Sequence, residues 1–143
     1  MPENWKHVVL DNPSEWPTKT EVQLDAAHID ERGAIQSLVN FPVKNVSLIT
    51  SRKGTRRSNH YHKTDWHYMY MLSGLAEYYF RATGSSETPQ SLVFKTGEMV
   101  FTPPMEDHLT VFLEDSTMVV MSRNSRDQES YESDVVRVVV IPE

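Results

Sequence analysis

The stretch Gly54-Thr-Arg-Arg-Ser-Asn-His-Tyr-His-Lys-Thr-Asp-Trp-His-Tyr-Met-Tyr-Met-Leu-Ser-Gly74 decides the fold and carries three of the chain's six histidines. Side chains alternate between the two faces of a strand, so His60 and His62 point to the same side of one strand. A turn at residues 63–65 followed by a returning strand would bring His67 back beside them. Three imidazoles that converge from two neighbouring strands form the beginning of a metal site.

The composition is that of an ordinary globular protein and limits the partners that it can have. The chain has 143 residues, 38% of them hydrophobic, and a net charge of −6. This negative balance argues against nucleic acid or an anionic membrane as the main partner. The chain contains no cysteine, so disulfides, thiolate ligands and a cysteine nucleophile are excluded. No apolar run approaches membrane-spanning length and no secretory leader is visible, so a cytoplasmic location is expected.

Short apolar runs separated by turn residues predict an all-β fold, either a sandwich or a barrel. The predicted strands cover residues 8–10, 21–27, 34–41, 43–51, 57–62, 66–72, 75–81, 92–94, 98–102, 109–113, 117–122 and 135–141. Residues 123–134 are polar and are predicted to be partly helical.

The length predicts one domain over residues 1–143. We divide it into an N-terminal arm (1–20), a barrel core (30–122) and a C-terminal segment (123–143). Trp5 and Trp16 are predicted to anchor the arm to the body or to a second subunit.

The glycine and histidine spacing resembles that of the cupin superfamily. The series Gly54-x5-His60-x-His62-x4-His67-x6-Gly74 is similar to the first cupin motif, in which a glutamate stands at the place of His67. The series Gly97-x5-Pro103-x-Met105-x2-His108-x3-Phe112 is similar to the second motif, which has glycine at the place of Met105 and asparagine at the place of Phe112. The resemblance implies a single jelly-roll β-barrel, and cupins commonly pair as homodimers.

Three further segments resemble cupins that act on nucleotide-linked sugars. The turn Asp30-x-Arg32-Gly33, the strand that begins at Gly54 and the tail Tyr131-Glu132-x-Asp134-x-x-Arg137 are similar to segments of sugar-nucleotide 3,4-ketoisomerases and dTDP-4-dehydrorhamnose epimerases. Ser58 stands where the ketoisomerase strand has glycine. Without the resemblance, the tail residues would be interpreted as a capped and salt-bridged surface segment.

Four histidines at these spacings predict a metal site made of His60, His62, His67 and His108. Four imidazole nitrogens suit a divalent transition metal such as Zn, Ni, Mn or Fe. In an alternative arrangement His67 is displaced and three histidines hold the metal with water. The competing interpretation is that these four are core histidines with satisfied hydrogen bonds, or surface residues. We expect His7 and His28, which fall outside the motifs, to be surface residues.

Strand alternation also predicts which side chains face the cavity. Counting from the histidines, the predicted substrate-binding residues are Arg56, Met69, Met71, Thr110 and Phe112, with Ser58 on the same face as Arg56. Arg56 is a candidate clamp for a phosphate or carboxylate. Either Tyr78 or Tyr79 must point inward, and that tyrosine or Glu77 is a candidate catalytic group that moves a proton. Residues Tyr61, Tyr68 and Tyr70 have the opposite parity and are expected to pack on the sheet or at a subunit interface.

These features predict a metal-binding cupin that acts on a small-molecule substrate. The leading hypothesis is an isomerase or epimerase of a keto-sugar, either free or nucleotide-linked, that works by metal-assisted carbonyl polarisation and proton transfer. The ketoisomerases that the strand resembles use paired histidines as acid and base, whereas a histidine bound to a metal has given up its lone pair. The alternatives are a metal-dependent lyase or dioxygenase of a small organic acid, and a non-enzymatic cupin that binds a small molecule.

Overall fold

The computed structural model describes residues 11–143. The strands are β1 (His28–Asp30), β2 (Gly33–Ile35), β3 (Asn45–Ser51), β4 (Arg56–His62), β5 (His67–Ser73), β6 (Leu75–Ala82), β7 (Gln90–Lys95), β8 (Met99–Thr102), β9 (Glu106–Phe112), β10 (Ser116–Ser122) and β11 (Val135–Arg137). A 3-10 turn covers Pro13–Glu15, and one α-helix, α1, covers Gln128–Asp134. Neither helical segment in this part of the chain is long and apolar enough to cross a membrane.

Antiparallel pairing divides the strands into two large sheets and one hairpin. The order is β3-β10-β5-β8 in one sheet and β11-β4-β9-β6-β7 in the other, and β1 pairs only with β2. Consecutive strands β4 and β5 lie in different sheets, so the chain crosses from one sheet to the other between His62 and His67. This all-β, cupin-like arrangement confirms the fold class predicted from the sequence.

The main hydrophobic core fills the space between the two sheets. Met69, Met71, Met118, Val120 and Val100 come from the four-stranded sheet, and Ala76, Tyr78, Phe94 and Phe112 come from the five-stranded sheet. Their alternation along each strand places these side chains on the inner faces. Polar histidines take the equivalent inward positions at one end of β4, β5 and β9, so the core ends where the histidine cluster begins.

A second core lies on the outer face of the four-stranded sheet. Trp66, Tyr68 and Phe101 are buried there, and Trp16 packs on Phe101 with 6.4 Å between the ring centroids. The described part of the N-terminal arm, residues 11–20, therefore contacts the body through Trp16, and Tyr68 and Tyr70 pack on the sheet as expected. The strand predicted at residues 8–10, as well as Trp5 and His7, lies outside the described residues.

Two predicted strands are wrong because their apolar residues cover this outer face instead of pairing at a sheet edge. Residues 21–27 form only an isolated bridge between Glu21 and Val100. Of residues 34–41, only the first two belong to β2. Val22, Leu24, Leu38 and Val39 pack against the second core, so their alternation reflects packing on a sheet face. The C-terminal strand is likewise shorter than predicted, because β11 ends at Arg137.

Ser58 and Met105 stand where the resembled motifs have glycine, and both have a left-handed backbone conformation, as does Asn59. Ser58 has φ 82°, Asn59 has φ 59° and Met105 has φ 60°. An L-residue with a Cβ is disfavoured in this region, whereas glycine is not. At Ser58 and Asn59 the pairing of β4 with β9 shifts register, which marks a β-bulge.

We expect Met105→Gly to raise the free energy of unfolding by up to about 1 kcal/mol, because glycine removes the left-handed strain and Met105 packs little. The Met105 side chain is 49% exposed. Chemical denaturation measures the difference. Leu72→Gly is the matched control: Leu72 is 51% exposed and lies in β5 with an ordinary φ, so that variant should lose stability. A loss of stability in Met105→Gly as large as that in the control would contradict the prediction.

Candidate metal centre

A cavity of about 210 Å³ opens between the two sheets at the end where the hydrophobic core stops. Its polar wall includes His60, His62, His67, Asp65 and Tyr131, and its apolar wall consists of Ile49, Met69, Met118 and Val120. Strands β4, β5, β9 and β10 and the region of α1 all contribute to it. Residues far apart in the sequence therefore meet in one chamber with one polar and one apolar side.

Three histidines form a compact set of nitrogen ligands. One ring nitrogen from each of His60, His62 and His108 lies within 4.8 Å of the other two, and all three residues are buried. The pairing of β4 with β9 causes this convergence, because His60 is directly opposite His108 and cross-strand partners share a face. The His60 ring centroid is 4.8 Å from that of His62 and 4.7 Å from that of His108.

His67 reaches the same cluster from the opposite sheet. Its ring centroid is 5.5 Å from that of His62 and 5.3 Å from that of His108. His67 is 7% exposed, but it does not belong to the tight set of three. The four histidines predicted from the sequence are thus neighbours in the structure, with His67 at the outside of the group.

The hydrogen bonds of the cluster leave ring nitrogens available for a metal. His108 Nδ1 donates to the carbonyl oxygen of Glu106 at 2.9 Å, which leaves the Nε2 lone pair of His108 free. His62 Nδ1 lies 3.2 Å from Asp134 Oδ2 and donates to this carboxylate. Among the described residues, neither His108 Nε2 nor His67 Nδ1 has a hydrogen-bond partner, although both atoms are buried. Buried polar atoms without partners are rare, and a metal ion would satisfy these two.

The electrostatics of the cavity keep the imidazoles neutral. Burial, together with the neighbouring histidines, lowers the pKa of His60 to about 2. Burial lowers the pKa of His108 to about 3 and also lowers the pKa of His62 and His67. Because a protonated imidazole cannot ligate, this environment provides the form that binds a metal.

Asp134 supports the cluster from behind. Although its burial would raise the pKa, hydrogen bonds from Thr64 and Asp65 outweigh that effect, and the pKa of Asp134 is lowered. Its carboxylate accepts from Thr64 N at 2.8 Å, Thr64 Oγ1 at 2.7 Å and Asp65 N at 3.2 Å, in addition to His62. A carboxylate behind a ligating histidine fixes its tautomer and orientation. The interpretation of Asp134 as a surface residue is therefore wrong.

Asp65 is the single carboxylate on the cavity wall within the described residues. It is 6% exposed, and its Oδ1 accepts from Asn124 N at 2.9 Å. Burial raises the pKa of Asp65 to about 6, with the charge of Asp134 adding to the effect. Sequence reasoning assigned Asp65 no role, because the turn that carries it is closed by contacts with Asp134 and Asn124, which are distant in the sequence.

Tyr131 from α1 lines the cavity beside two of the histidines. Its ring centroid lies 6.4 Å from that of His60 and 6.1 Å from that of His62. The Arg126 guanidinium carbon lies 5.0 Å from the centre of the Tyr131 ring, a cation–π contact. The tail resemblance to the ketoisomerases was the signal that pointed to Tyr131 and Asp134, whereas Arg137 does form the expected exposed ion pair, with Glu132.

The three predicted catalytic residues do not line this cavity. Tyr78 faces inward, but it is fully buried in the core, where its hydroxyl lies 2.6 Å from Thr102 Oγ1 and 2.9 Å from Glu106 Oε2. Its neighbours Glu77 and Tyr79 are on the opposite face of β6 and hydrogen-bond to each other at 2.8 Å. Alternation along β6 therefore separates Glu77 and Tyr79 from the histidines, which corrects that part of the sequence-based assignment. The Tyr78 ring lies against His108, with 6.1 Å between the ring centroids, but its hydroxyl is directed to Thr102 and Glu106.

The predicted substrate-binding residues are only partly in place. Arg56, Met69 and Thr110 line the cavity, whereas Met71 and Phe112 are packed in the main core. The β-bulge reverses which side chains of β4 point inward in the residues that precede it. Arg57 is therefore the direct partner of inward-facing Thr110. The Arg56 guanidinium donates to the carbonyl oxygen of Ile141 at 2.9 Å. Arg57 thus takes the inward position that simple alternation gave to Arg56.

Comparison with solved structures agrees with the cupin resemblance. A 3,4-ketoisomerase from Helicobacter canadensis is 17% identical with a TM-score of 0.65, over 78% of this chain and 85% of that one. ChmJ, a 3'-monoepimerase from Streptomyces bikiniensis solved with dTDP-quinovose, is 18% identical with a TM-score of 0.67, over 81% and 67%. At these identities the likeness establishes the fold.

The capsular polysaccharide assembling protein CapF of Staphylococcus aureus is 21% identical with a TM-score of 0.61. The match covers 82% of this chain and 35% of CapF, so the chain spans about a third of that protein's length. No curated protein sequence matches the chain. The family model described as "Polysaccharide biosynthesis C-terminal domain" matches residues 28–135, a range that holds all four clustered histidines and Asp134. This cupin-fold chain therefore belongs to the polysaccharide biosynthesis C-terminal domain family.

Proposed function

We propose that the protein is an isomerase or epimerase of a nucleotide-linked keto-sugar and that a divalent transition metal bound to its histidines assists the reaction. The observation that carries the proposal is the set of neutral histidines His60, His62 and His108, buried at the end of the cavity, with unpartnered Nε2 on His108 and unpartnered Nδ1 on neighbouring His67. The similarity of the fold to ketoisomerase and epimerase structures supports it.

The metal would be held by His60, His62 and His108, with His67 as a possible fourth ligand. A dication surrounded only by neutral ligands keeps its full charge and polarises a carbonyl oxygen, which acidifies the neighbouring C–H bonds. Asp134 contributes by keeping the His62 Nδ1–H directed away from the cavity. Zn, Ni, Mn and Fe all accept imidazole ligands, so the ligand set leaves the choice among them open.

Proton transfer is assigned to residues on the cavity wall. The Asp65 carboxylate is held by Asn124 N through Oδ1, which leaves Oδ2 to take a proton from the carbon beside the substrate carbonyl. Tyr131 also lines the cavity, and its phenolic hydroxyl can donate a hydrogen bond. Asp65 lies on the loop between β4 and β5 and Tyr131 lies on α1, so two separate elements supply a proton acceptor and a proton donor to the cavity.

Cationic side chains at the cavity suit the phosphates of a nucleotide. Arg56, Arg57 and Arg126 all contribute to its wall, in a protein whose net charge is −6. A guanidinium binds phosphate oxygens through paired hydrogen bonds. Of these three arginines, we assign Arg56 and Arg126 to the phosphates.

The test is hydrogen exchange with a keto-sugar nucleotide. QdtA, a 3,4-ketoisomerase from Thermoanaerobacterium thermosaccharolyticum, was solved with TDP-4-keto-6-deoxyglucose, which is a suitable first probe. Protein loaded with Zn, Ni, Mn or Fe is incubated with this compound in D2O and followed by proton NMR. We expect loss of the proton signal at a carbon beside the ketone and the appearance of an isomer.

Two results would count against the proposal. One is a failure to exchange any proton or to form an isomer with all four metals. The other is a strict dependence of turnover on O2 and Fe(II), with O2 consumed, which would instead identify the dioxygenase alternative. The same reaction under argon separates these cases, because isomerisation needs no oxidant.

A further inference from the structure

Thr110 carries a buried hydroxyl that the protein leaves without a hydrogen bond. The residue is 1% exposed, and its Oγ1 has no partner among the described residues. Its side chain lines the cavity beside the apolar residues Met69, Met118 and Val120. A buried hydroxyl without a partner costs about 1–3 kcal/mol of folding free energy, so its position on a ligand-sized cavity points to a ligand atom as the partner.

Arg57 lies directly opposite Thr110 on the neighbouring strand. Its Nε donates to Ser51 Oγ at 2.7 Å and its Nη2 donates to the carbonyl oxygen of Thr50 at 2.9 Å. These contacts fix the guanidinium across the gap between the two sheets. Its Nη1 makes no hydrogen bond within the described part of the chain. A hydroxyl and a guanidinium on the same face of paired strands can both donate to one acceptor oxygen.

We propose that Thr110 and Arg57 form a polar subsite that binds one oxygen substituent of the sugar and thereby determines substrate specificity. The subsite rests on the proposed function, because it assumes a sugar in the cavity. Apolar surface surrounds this subsite and comes from Ile49, Met69, Met118 and Val120. A sugar carbon that carries no oxygen fits against that surface, whereas a sugar hydroxyl placed there would have no hydrogen-bond partner. An analogue that lacks the recognised oxygen would leave the Thr110 hydroxyl unsatisfied, and this situation gives strong discrimination.

The experiment compares Thr110→Val with Thr102→Val. Both threonines are buried in strands, but Thr102 Oγ1 is hydrogen-bonded to Tyr78 Oη at 2.6 Å. Valine has nearly the same shape and lacks the hydroxyl. Thr110→Val should therefore raise Tm by a few degrees, roughly 2–5 °C, because an unsatisfied group is removed, while Thr102→Val should lower it.

Ligand binding is measured by calorimetry with dTDP-glucose and its four analogues that each lack one hydroxyl (at carbon 2, 3, 4 or 6). In the wild-type protein, one analogue should bind about tenfold more weakly than dTDP-glucose. In Thr110→Val, dTDP-glucose itself should bind about tenfold more weakly, and its advantage over that analogue should disappear. Thr102→Val should keep the wild-type pattern.

The outcomes separate the subsite from the proposed function. If Thr110→Val binds all five compounds as tightly as the wild-type protein, the subsite is wrong while nucleotide-sugar binding stands. If the wild-type protein binds none of them and also fails to exchange the keto-sugar proton, the proposed function fails, and the subsite fails with it. A lower Tm for Thr110→Val, equal to that of Thr102→Val, would show that the hydroxyl has a partner within the protein and would also overturn the subsite.

Discussion

Replacing His108 by glutamine is expected to abolish stoichiometric metal binding. His108 is fully buried, and its Nε2 faces the other histidines without a protein partner. Glutamine fills most of the volume of the histidine side chain but is a poor metal ligand. We therefore expect the affinity for the metal to fall by roughly 100-fold or more, which exceeds the loss typical of residues that only hydrogen-bond to a ligand. Metal content after dialysis, measured by elemental analysis, should fall from about one ion per chain to near zero.

The matched control for this variant is His28→Gln. The His28 side chain is 70% exposed in β1, where it lies near Asp30 and away from the cavity. This variant should keep its metal. Treatment with a chelator should lower the Tm of the wild-type protein and of His28→Gln but leave that of His108→Gln unchanged, because only a bound metal stabilises the folded state. Equal metal content in all three proteins would exclude His108 as a ligand.

His67→Gln provides a graded comparison. Because His67 lies outside the set of three whose nitrogens approach within 4.8 Å, its loss should weaken metal binding less than the loss of His108. A loss as large as that in His108→Gln would establish a site with four equivalent histidines. No change at all would limit the site to three histidines and would give the unpartnered His67 Nδ1 a different role.

Asp65→Asn is expected to reduce proton exchange from the keto-sugar by roughly 10²- to 10⁴-fold, the range typical of a lost general base. Asparagine has the size of aspartate and can still accept the hydrogen bond from Asn124 N, but it cannot take a proton. Metal content should stay close to that of the wild-type protein, since Asp65 is assigned to the substrate. The measurement is the initial rate of deuterium incorporation at saturating TDP-4-keto-6-deoxyglucose.

Glu77→Gln is the matched control for Asp65→Asn. It makes the same change from carboxylate to amide, on a residue that sequence reasoning had suggested as catalytic. Glu77 accepts hydrogen bonds from Tyr79 and Ser91 on the outer face of the five-stranded sheet, so its rate of exchange should match that of the wild-type protein. A normal rate in Asp65→Asn combined with a slow rate in Glu77→Gln would reverse the assignment.

Local patterns predicted most of the strands that build the cavity. In strands β4, β5 and β9, the histidine spacing and the alternation of apolar side chains indicate the same inward face. The two patterns therefore agree on one register. The same alternation misled at residues 21–27 and 34–41, where the apolar side chains cover a sheet face that hydrophobic period alone does not distinguish from strand pairing. A pattern of period two indicates that alternate side chains are buried, but it does not show whether the backbone pairs with a neighbouring strand.

The parts of the site that escaped prediction depend on contacts that alternation does not encode. The bulge at Ser58 and Asn59 exchanges the roles of Arg56 and Arg57, and its only trace in the sequence is the position where the resembled strand has glycine. Asp134 reaches His62 across 72 residues of sequence. The resemblance of the tail to the ketoisomerases pointed to Asp134, but no local pattern predicts its contact with His62, so that role became visible only in three dimensions.

The separation between His62 and Asp134 also sets an order of events during synthesis. The ribosome adds both histidines of β4 well before Asp134, whose carboxylate closes the turn at residues 64–65. Until Asp134 is added, the His62 Nδ1–H lacks its acceptor and the turn beside it lacks the hydrogen bonds that close it, so the histidine cluster described here is complete only when α1 has formed.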